Sequence, residues 1–323
     1  MTISQEQASW FADTCGKLVA NIEQAVLGKR KAVRLALTCL LSDGHLLIED
    51  VPGTGKTMLA KALANTVRGT NSRIQFTPDM LPSDVTGVQV YNESTKKFDF
   101  HRGPIFANVV LADEINRASP KTQSALLEVM EEGHVTMDGE AFPVGPAFMV
   151  IATQNPVELA GTYPLPEAQL DRFLIKTELG HPDHDTTVAI LAEAARRDRS
   201  AAVQPVITVR GVTEMTALAD QVHVDAGILA YVSRLAVETR RFPDVALGVS
   251  VRGCLALVRC AKTWALSQGR AFVTPDDVRD LVWPVFCHRL VLTPDARFAG
   301  TEVRHVVDRL LADVAPPRER GAA

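Results

Sequence analysis

The nine residues Glu49 to Thr57, EDVPGTGKT, set two glycines, a lysine and a hydroxyl in an order suited to phosphate chemistry. Gly53 and Gly55 let the backbone turn its amides inward around phosphate oxygens. Lys56 supplies a point charge to the β and γ groups, and the Thr57 hydroxyl can ligand Mg2+. A helix opening at Thr57 adds the positive end of its dipole. The usual pattern is G-x-x-x-x-G-K-[ST], and Asp50 holds the position of its first glycine. The amides that cradle phosphate come chiefly from the loop that follows Pro52, through Thr54 to Met58, so Asp50 bears on the turn before the loop. A motif this short can also arise by chance, and its surroundings decide.

The surroundings add two strand ends. The run Asn108 to Ala112, apolar after its first residue, is too short for a helix, which predicts a strand covered on both faces, as in a parallel sheet. It ends in Asp113-Glu114. Asp113 would organise Mg2+, through its water shell, and Glu114 could polarise the water that attacks the γ-phosphate. Acidic pairs also end strands merely because solvent begins there, but a pair behind a phosphate loop and a buried strand favours the metal-and-water reading. Phe148 to Ala152 is a second buried strand, running into Thr153-Gln154-Asn155. The Asn155 amide can orient the same water or read the γ-phosphate, although an asparagine before Pro156 is also an ordinary turn residue.

These groups need a scaffold, and the patterns supply one. Apolar spacing at Phe11, Leu18, Ile22 and Val26 predicts an opening helix broken at Gly28, followed by a helix over 31–41 and a strand over 45–49 that feeds the loop. The helix after the loop, 57–68, buries Leu59, Leu63 and Val67. Two hairpins are predicted, 88–91 with 97–101, and HVTM with EAFPV across Asp138-Gly139. Ser119, Pro120 and Gly133 bracket a helix. A short helix at 167–173 and a strand at 173–179 complete an α/β core assigned to 1–180. Beyond it helices replace strands: 186–197, 211–221, 226–239, 251–268, 275–281 and 302–311. Ser250 is placed to cap the fourth and Thr274-Pro-Asp-Asp277 to open the fifth. The domain 181–323 therefore reads as an α-helical lid with a short disordered tail.

Composition narrows the class. The chain has 323 residues, 46% hydrophobic and 22% charged, with a net charge of −4 and a pI near 6.1. That balance gives no whole-molecule basic signature for nucleic acid or anionic membrane. The N-terminus lacks a basic segment followed by an apolar one, and no run approaches a membrane span, so a cytosolic protein is expected. Five cysteines without a C-x-x-C pair fit buried free thiols better than a disulfide framework or zinc site. HPDHD at 181–185 reads as a solvated linker rather than a metal site.

The stretches GPIFANVVLADEINRASPKTQSALLEVMEEGHVT and FMVIATQNPVELAGTYPLPEAQLDRFL resemble the MoxR family of AAA+ ATPases, and GVSVRGCLALVRCAKTWALSQGR resembles that family's lid helix. The resemblance covers nearly the whole chain. It implies a P-loop NTPase core with a parallel sheet, ATP and Mg2+ as cofactors, and ATP hydrolysis to ADP and phosphate. Gly53, Gly55, Lys56 and Thr57 then resemble Walker A, Asp113 and Glu114 Walker B, and Asn155 sensor 1. Arg172 resembles the arginine finger that enters a neighbouring subunit's site, and Arg252 resembles sensor 2. Val26, Leu27 and Gly28 lie where such ATPases lodge adenine. The hairpins resemble the helix-2 and pre-sensor-1 inserts. A homo-oligomeric ring, expected to be a hexamer, and chaperone-like remodelling of a client, often a complex containing a von Willebrand factor A domain, are implied as well.

The arginine assignments have physical sense of their own. An arginine at a subunit edge neutralises charge that develops in phosphoryl transfer, so hydrolysis would need assembly. Arg117 and Lys121 also lie near the carboxylate pair and are alternatives to Arg172. Arg252 falls in the first turn after Ser250, a poor place for a cation beside the helix dipole unless an anion compensates. The rival reading is a nucleic-acid-dependent motor whose hairpins grip a strand. The acidic balance, and the lack of aromatics interleaved with a basic stripe, speak against it.

Overall fold

The computed structural model describes residues 3–51, 53–155, 161–192 and 199–317. Packing divides the chain into two compact units, Lys17–Glu214 and a second formed by Met1–Gly16 with Met215–Ala323. Helix α1 (Gln5–Glu23) runs through the first division point.

The unit Lys17–Glu214 alternates strands and helices. After α2 (Arg30–Leu41) come β1 (Leu46–Glu49), α3 (Lys56–Thr66), β2 (Asn71–Gln75) and the short α4 (Pro82–Thr86). A hairpin, β3 (Gly87–Asn92) and β4 (Lys97–Arg102), precedes β5 (Val109–Asp113) and α5 (Pro120–Glu132). A second hairpin, β6 (His134–Met137) and β7 (Glu140–Pro143), precedes β8 (Met149–Gln154), α6 (Glu167–Leu170), β9 (Ile175–Thr177) and α7 (His184–Ala192). Five strands form one sheet in the order β2-β5-β8-β1-β9, and each neighbouring pair is parallel.

The central strands are what their apolar runs require. Every residue of β5 is buried, as are the first five of β8 and the first three of β1. Each Val, Leu or Ile so covered stabilises the fold by roughly 1.5–3 kcal/mol. Side chains from both sheet and helices, among them Phe76, Ile105, Leu126, Leu127 and Val150, form one core. Local chemistry sets the ends of α5: the Ser119 side chain accepts the amide of Thr122, Pro120 opens the helix, and Gly133 closes it at φ 69°. Asp138 and Gly139, at φ 50° and 84°, make the left-handed pair that a two-residue hairpin turn demands.

Edges differ from the sequence expectation. Nothing in the chain's pattern marks β2 as a strand, because only Ile74 of NSRIQ is buried. An edge strand has one neighbour and shows solvent much of its surface, so the apolar signal that revealed β5 is absent. Likewise α6 stops at Leu170 and β9 covers only Ile175–Thr177, shorter than the runs 167–173 and 173–179. Helix α7 begins two residues earlier than expected, at His184. Asp183 caps it, accepting the Thr186 amide at 2.8 Å, and the Thr186 hydroxyl first, then that amide, hold the Asp183 carboxyl below its ordinary range. The remainder of the predicted 186–197 helix, from 193 on, lies outside the described residues.

The other unit is helical. Helix α8 (Val209–Ala219) leads into it, followed by α9 (Ala226–Thr239), α10 (Val251–Leu266) and α11 (Pro275–Phe286). The antiparallel strands β10 (Val245–Leu247) and β11 (Val291–Leu292), then α12 (Pro294–Phe298) and α13 (Val303–Asp313), complete it. Asp225, Ser250, Thr274 and Thr293 each accept a backbone amide at a helix start. The expected end of α11 at Leu281 is wrong: the helix continues through Pro284 to Phe286. Val285 and Phe286 are fully buried, and that burial outweighs the roughly 3 kcal/mol that an interior proline costs. Of the five cysteines four are buried and Cys254 is half-buried, all as free thiols. Among the described residues no helix is long and apolar enough to cross a membrane.

Candidate active site

Parallel register decides where the chemistry gathers. Glu49 stands opposite Gln154 and Gln75 opposite Asp113, so β1, β2, β5 and β8 finish along one edge of the sheet. Ligands of open α/β sheets bind outside such carboxyl ends. Here that edge borders a cleft of about 400 Å3. The loop after β1 lines it with Asp50, Gly53, Gly55, Lys56, Thr57 and Met58. β2 contributes Arg73 and Gln75, β5 leads into Asp113 and Glu114, and β8 into Thr153, Gln154 and Asn155.

The loop keeps its amides open. Gly53 and Gly55 have φ of 87° and 101°, a left-handed conformation that side chains disfavour. Gly55 is the N-cap of α3 and makes no side-chain cap to its first turn, whose residues Lys56, Thr57 and Met58 line the cleft, the kind of helix start that suits an anion. Thr54 is buried and donates to the Val51 carbonyl at 3.4 Å. Lys56 Nζ donates to the carbonyls of Asp50 and Val51 at 3.1 and 2.8 Å, folding back over the loop's base.

Asp50 explains how the chain manages without the first glycine of the usual loop. Its Oδ1 accepts the Val51 amide at 2.8 Å, and its Oδ2 accepts those of Leu179 at 3.0 Å and Gly180 at 2.8 Å. The buried carboxylate thus ties the entry of the loop to the segment that leaves β9. Its own amide donates to the Gln154 carbonyl, extending the β1–β8 ladder by one residue.

The two acidic residues are held differently. Asp113 is buried; its Oδ1 accepts the Thr153 hydroxyl at 2.7 Å, and its Oδ2 accepts Nε and a terminal nitrogen of Arg73 at 3.2 and 2.6 Å. Glu114 adopts φ 57° and ψ 50°, uncommon for a residue with a side chain, and its amide donates to the Thr153 hydroxyl at 2.8 Å. Gln75 Nε2 donates to Glu114 Oε2 at 2.9 Å, and Arg117 Nε lies 3.0 Å from the same atom.

Of the predicted site residues, Gly53, Gly55, Lys56, Thr57, Met58, Asp113, Glu114 and Asn155 share this cleft. Pro52 lies outside the described residues. Val26, Leu27 and Gly28 are not among the residues lining it; they form the turn between α1 and α2, where Gly28 has φ 70° and packs so closely on Thr186 that a Cβ would meet its hydroxyl at 2.8 Å. Arg172 pairs with Glu131 of α5 at 2.9 Å and does not line the cleft. Arg252 is the second residue of α10, in the helical unit. Arg73, Gln75 and Thr153 are cleft residues that the sequence reading did not single out. Thr153 sits in TQN beside Asn155 and had a local signal; Arg73 and Gln75 had none, since their strand was itself unmarked.

The chain matches known proteins over both units. Residues 45–175 fit the model described as the ATPase family associated with various cellular activities (AAA), and residues 237–310 fit the AAA lid domain. It is 46% identical to the uncharacterized protein YeaC of Bacillus subtilis over 95% of this chain and 96% of that one. It is 39% identical to chaperone MoxR1 of Mycobacterium tuberculosis, covering 94% and 83%, and 30% identical to protein MoxR of Paracoccus denitrificans, covering 85% and 88%. A crystal structure from Cytophaga hutchinsonii superposes with a TM-score of 0.90 at 33% identity, over 97% of this chain and 98% of that one. With its parallel sheet, phosphate loop and helical lid, the chain belongs to the MoxR family of AAA+ ATPases.

Proposed function

We propose that this protein hydrolyses ATP to ADP and phosphate and uses the cycle to remodel a client protein or complex. The observation that carries this reading is the meeting of Lys56 and Thr57 with Asp113 and Glu114 in one cleft at the carboxyl edge of the sheet. The open first turn of α3 and the amides of Gly53 to Met58 bind the phosphates, and Lys56 exchanges its loop carbonyls for phosphate oxygens.

The Thr57 hydroxyl and the Asp113 carboxylate are hard oxygen donors, and Asp113 already carries a cation in Arg73; that donor set fits Mg2+. Bound there, the metal supplies charge neutralisation to the phosphates. Glu114 accepts a proton from the attacking water, and Asn155 orients that water. Arg172 serves a neighbouring subunit's site and Arg252 couples the lid to the nucleotide, with Val26 to Gly28 beside the adenine. On this reading the working form is a cytoplasmic ring, a hexamer. The name of the Mycobacterium tuberculosis relative, a chaperone, supports the remodelling role. A von Willebrand factor A domain protein is the client class proposed.

The deciding experiment measures phosphate release and nucleotide binding by wild type and Glu114→Gln. Expected is a loss of about 100-fold or more in turnover with nucleotide still bound. Equal phosphate release from both proteins at every concentration would sink the hydrolytic reading. DNA stimulation that salt abolishes would favour the motor reading instead.

A further inference from the structure

A cation already occupies the carboxylate assigned to the metal. Arg73 approaches Asp113 Oδ2 with two nitrogens, at 3.2 and 2.6 Å, while Thr153 takes the other oxygen. The partners are unequally fixed: the Asp113 side chain is 12% exposed and that of Arg73 53%, so the acid belongs to the wall and the guanidinium is free to retreat into solvent. The terminal nitrogen of Arg73 that meets Asp113 also donates to Gln75 Oε1 at 2.7 Å, and Gln75 Nε2 in turn donates to Glu114 Oε2 at 2.9 Å. Alternate residues of one edge strand therefore link both acidic residues in a single relay.

We propose that Arg73 is the competitor of the divalent cation at Asp113, neutralising the carboxylate in the metal-free cleft and withdrawing from Oδ2 when Mg2+ enters with nucleotide. The inference rests on the reading of the cleft as a Mg2+-nucleotide site. Its physical basis is charge: an arginine cannot be deprotonated in this setting, so it and a dication held by the same carboxylate, directly or through water, would repel one another.

The test compares the affinity of a fluorescent ADP analogue in saturating Mg2+ with its affinity in EDTA, for wild type, Arg73→Gln and Arg73→Lys. The readout is the ratio of metal-free to metal-bound Kd, which requires no turnover. Arg73→Gln should raise this ratio about three- to fivefold, the scale of one exposed ion pair. Arg73→Lys, which keeps the charge without the fork, should raise it less. Thermal melts establish that each variant folds; should Arg73→Gln not fold, Arg73→Lys decides, a ratio above wild type supporting the role and one at or below it overturning the role. If wild type shows no metal dependence, the magnesium reading falls and the Arg73 role with it. If wild type is metal-dependent and neither variant raises the ratio, the Arg73 role alone is overturned.

Discussion

Thr153 donates its hydroxyl hydrogen to Asp113 Oδ1 at 2.7 Å, and Thr153 Oγ1 itself accepts the amide of Glu114 at 2.8 Å. One buried hydroxyl on β8 therefore sets both the carboxylate assigned to the metal and the left-handed turn at the next one. Replacing Thr153 by Val keeps the volume and removes both bonds. Turnover should fall about 10- to 100-fold, the scale seen when partners of ligating groups are removed. Thr153→Ser should stay within a few-fold of wild type. Phosphate release measured across a Mg2+ titration checks this; equal activity of the Val and Ser variants would count against it.

Asp50 makes a prediction that runs against the motif. Substituting Gly restores the residue common at this position but removes an acceptor of the Val51, Leu179 and Gly180 amides. Stability should drop by about 2–3 kcal/mol, from unsatisfied buried amides and added chain freedom. Urea unfolding of Asp50→Gly and Asp50→Asn measures it, with Asn expected in between because it keeps one acceptor oxygen.

Arg172 rests on Glu131, whereas Arg117 contacts Glu114 of its own chain. If Arg172 acts on a neighbouring subunit, mixing Arg172→Ala with Lys56→Ala protein should restore part of the ATPase activity that each lacks alone. The same mixture made with Arg117→Ala should not. Recovery in the second mixture and none in the first would transfer the role to Arg117.

In the helical unit Asp277 closes the capping box of α11. Its carboxylate accepts the Thr274 amide and hydroxyl, each at 2.8 Å, and two nitrogens of Arg270 at 2.5 and 2.7 Å. Asp277→Ala leaves a partly buried guanidinium without its acid and should cost about 3–4 kcal/mol. Denaturant unfolding should show that loss, and Arg270→Ala a smaller one.

Burial pushes the Cys254 thiol above its ordinary pKa, with Arg240 opposing only in part. The raised value means less thiolate at a given pH, so iodoacetamide should label native Cys254 several-fold more slowly than the unfolded chain near pH 8. The native rate should climb as pH rises toward the displaced pKa. Mass spectrometry of the labelled peptide follows both.

Much of this molecule was legible because it is local. The phosphate loop, the apolar runs of β5 and β8, the Ser119-Pro120 start and Gly133 stop of α5, and the Asp138-Gly139 turn all depend on residues within a few positions of one another. Their dihedral and burial requirements are written in the side chains themselves. Strand β2 was illegible for the complementary reason. As a polar edge strand it takes its conformation from hydrogen bonds to β5, and NSRIQ carries no periodic trace of that partner.

The sequence by itself therefore determined the class of chemistry: a loop for phosphate, carboxylates at a strand end, and an amide at the end of another strand. Tertiary structure decided what those groups rest on. Asp50 lies 129 residues from Leu179 and Arg73 lies 40 from Asp113, yet each pair is in hydrogen-bond contact. It also gathered the first sixteen residues into one compact unit with those from Met215 onward. Sheet order and strand register bring distant charges together, and a charge finds its partner only when the sheet has set both side chains in place.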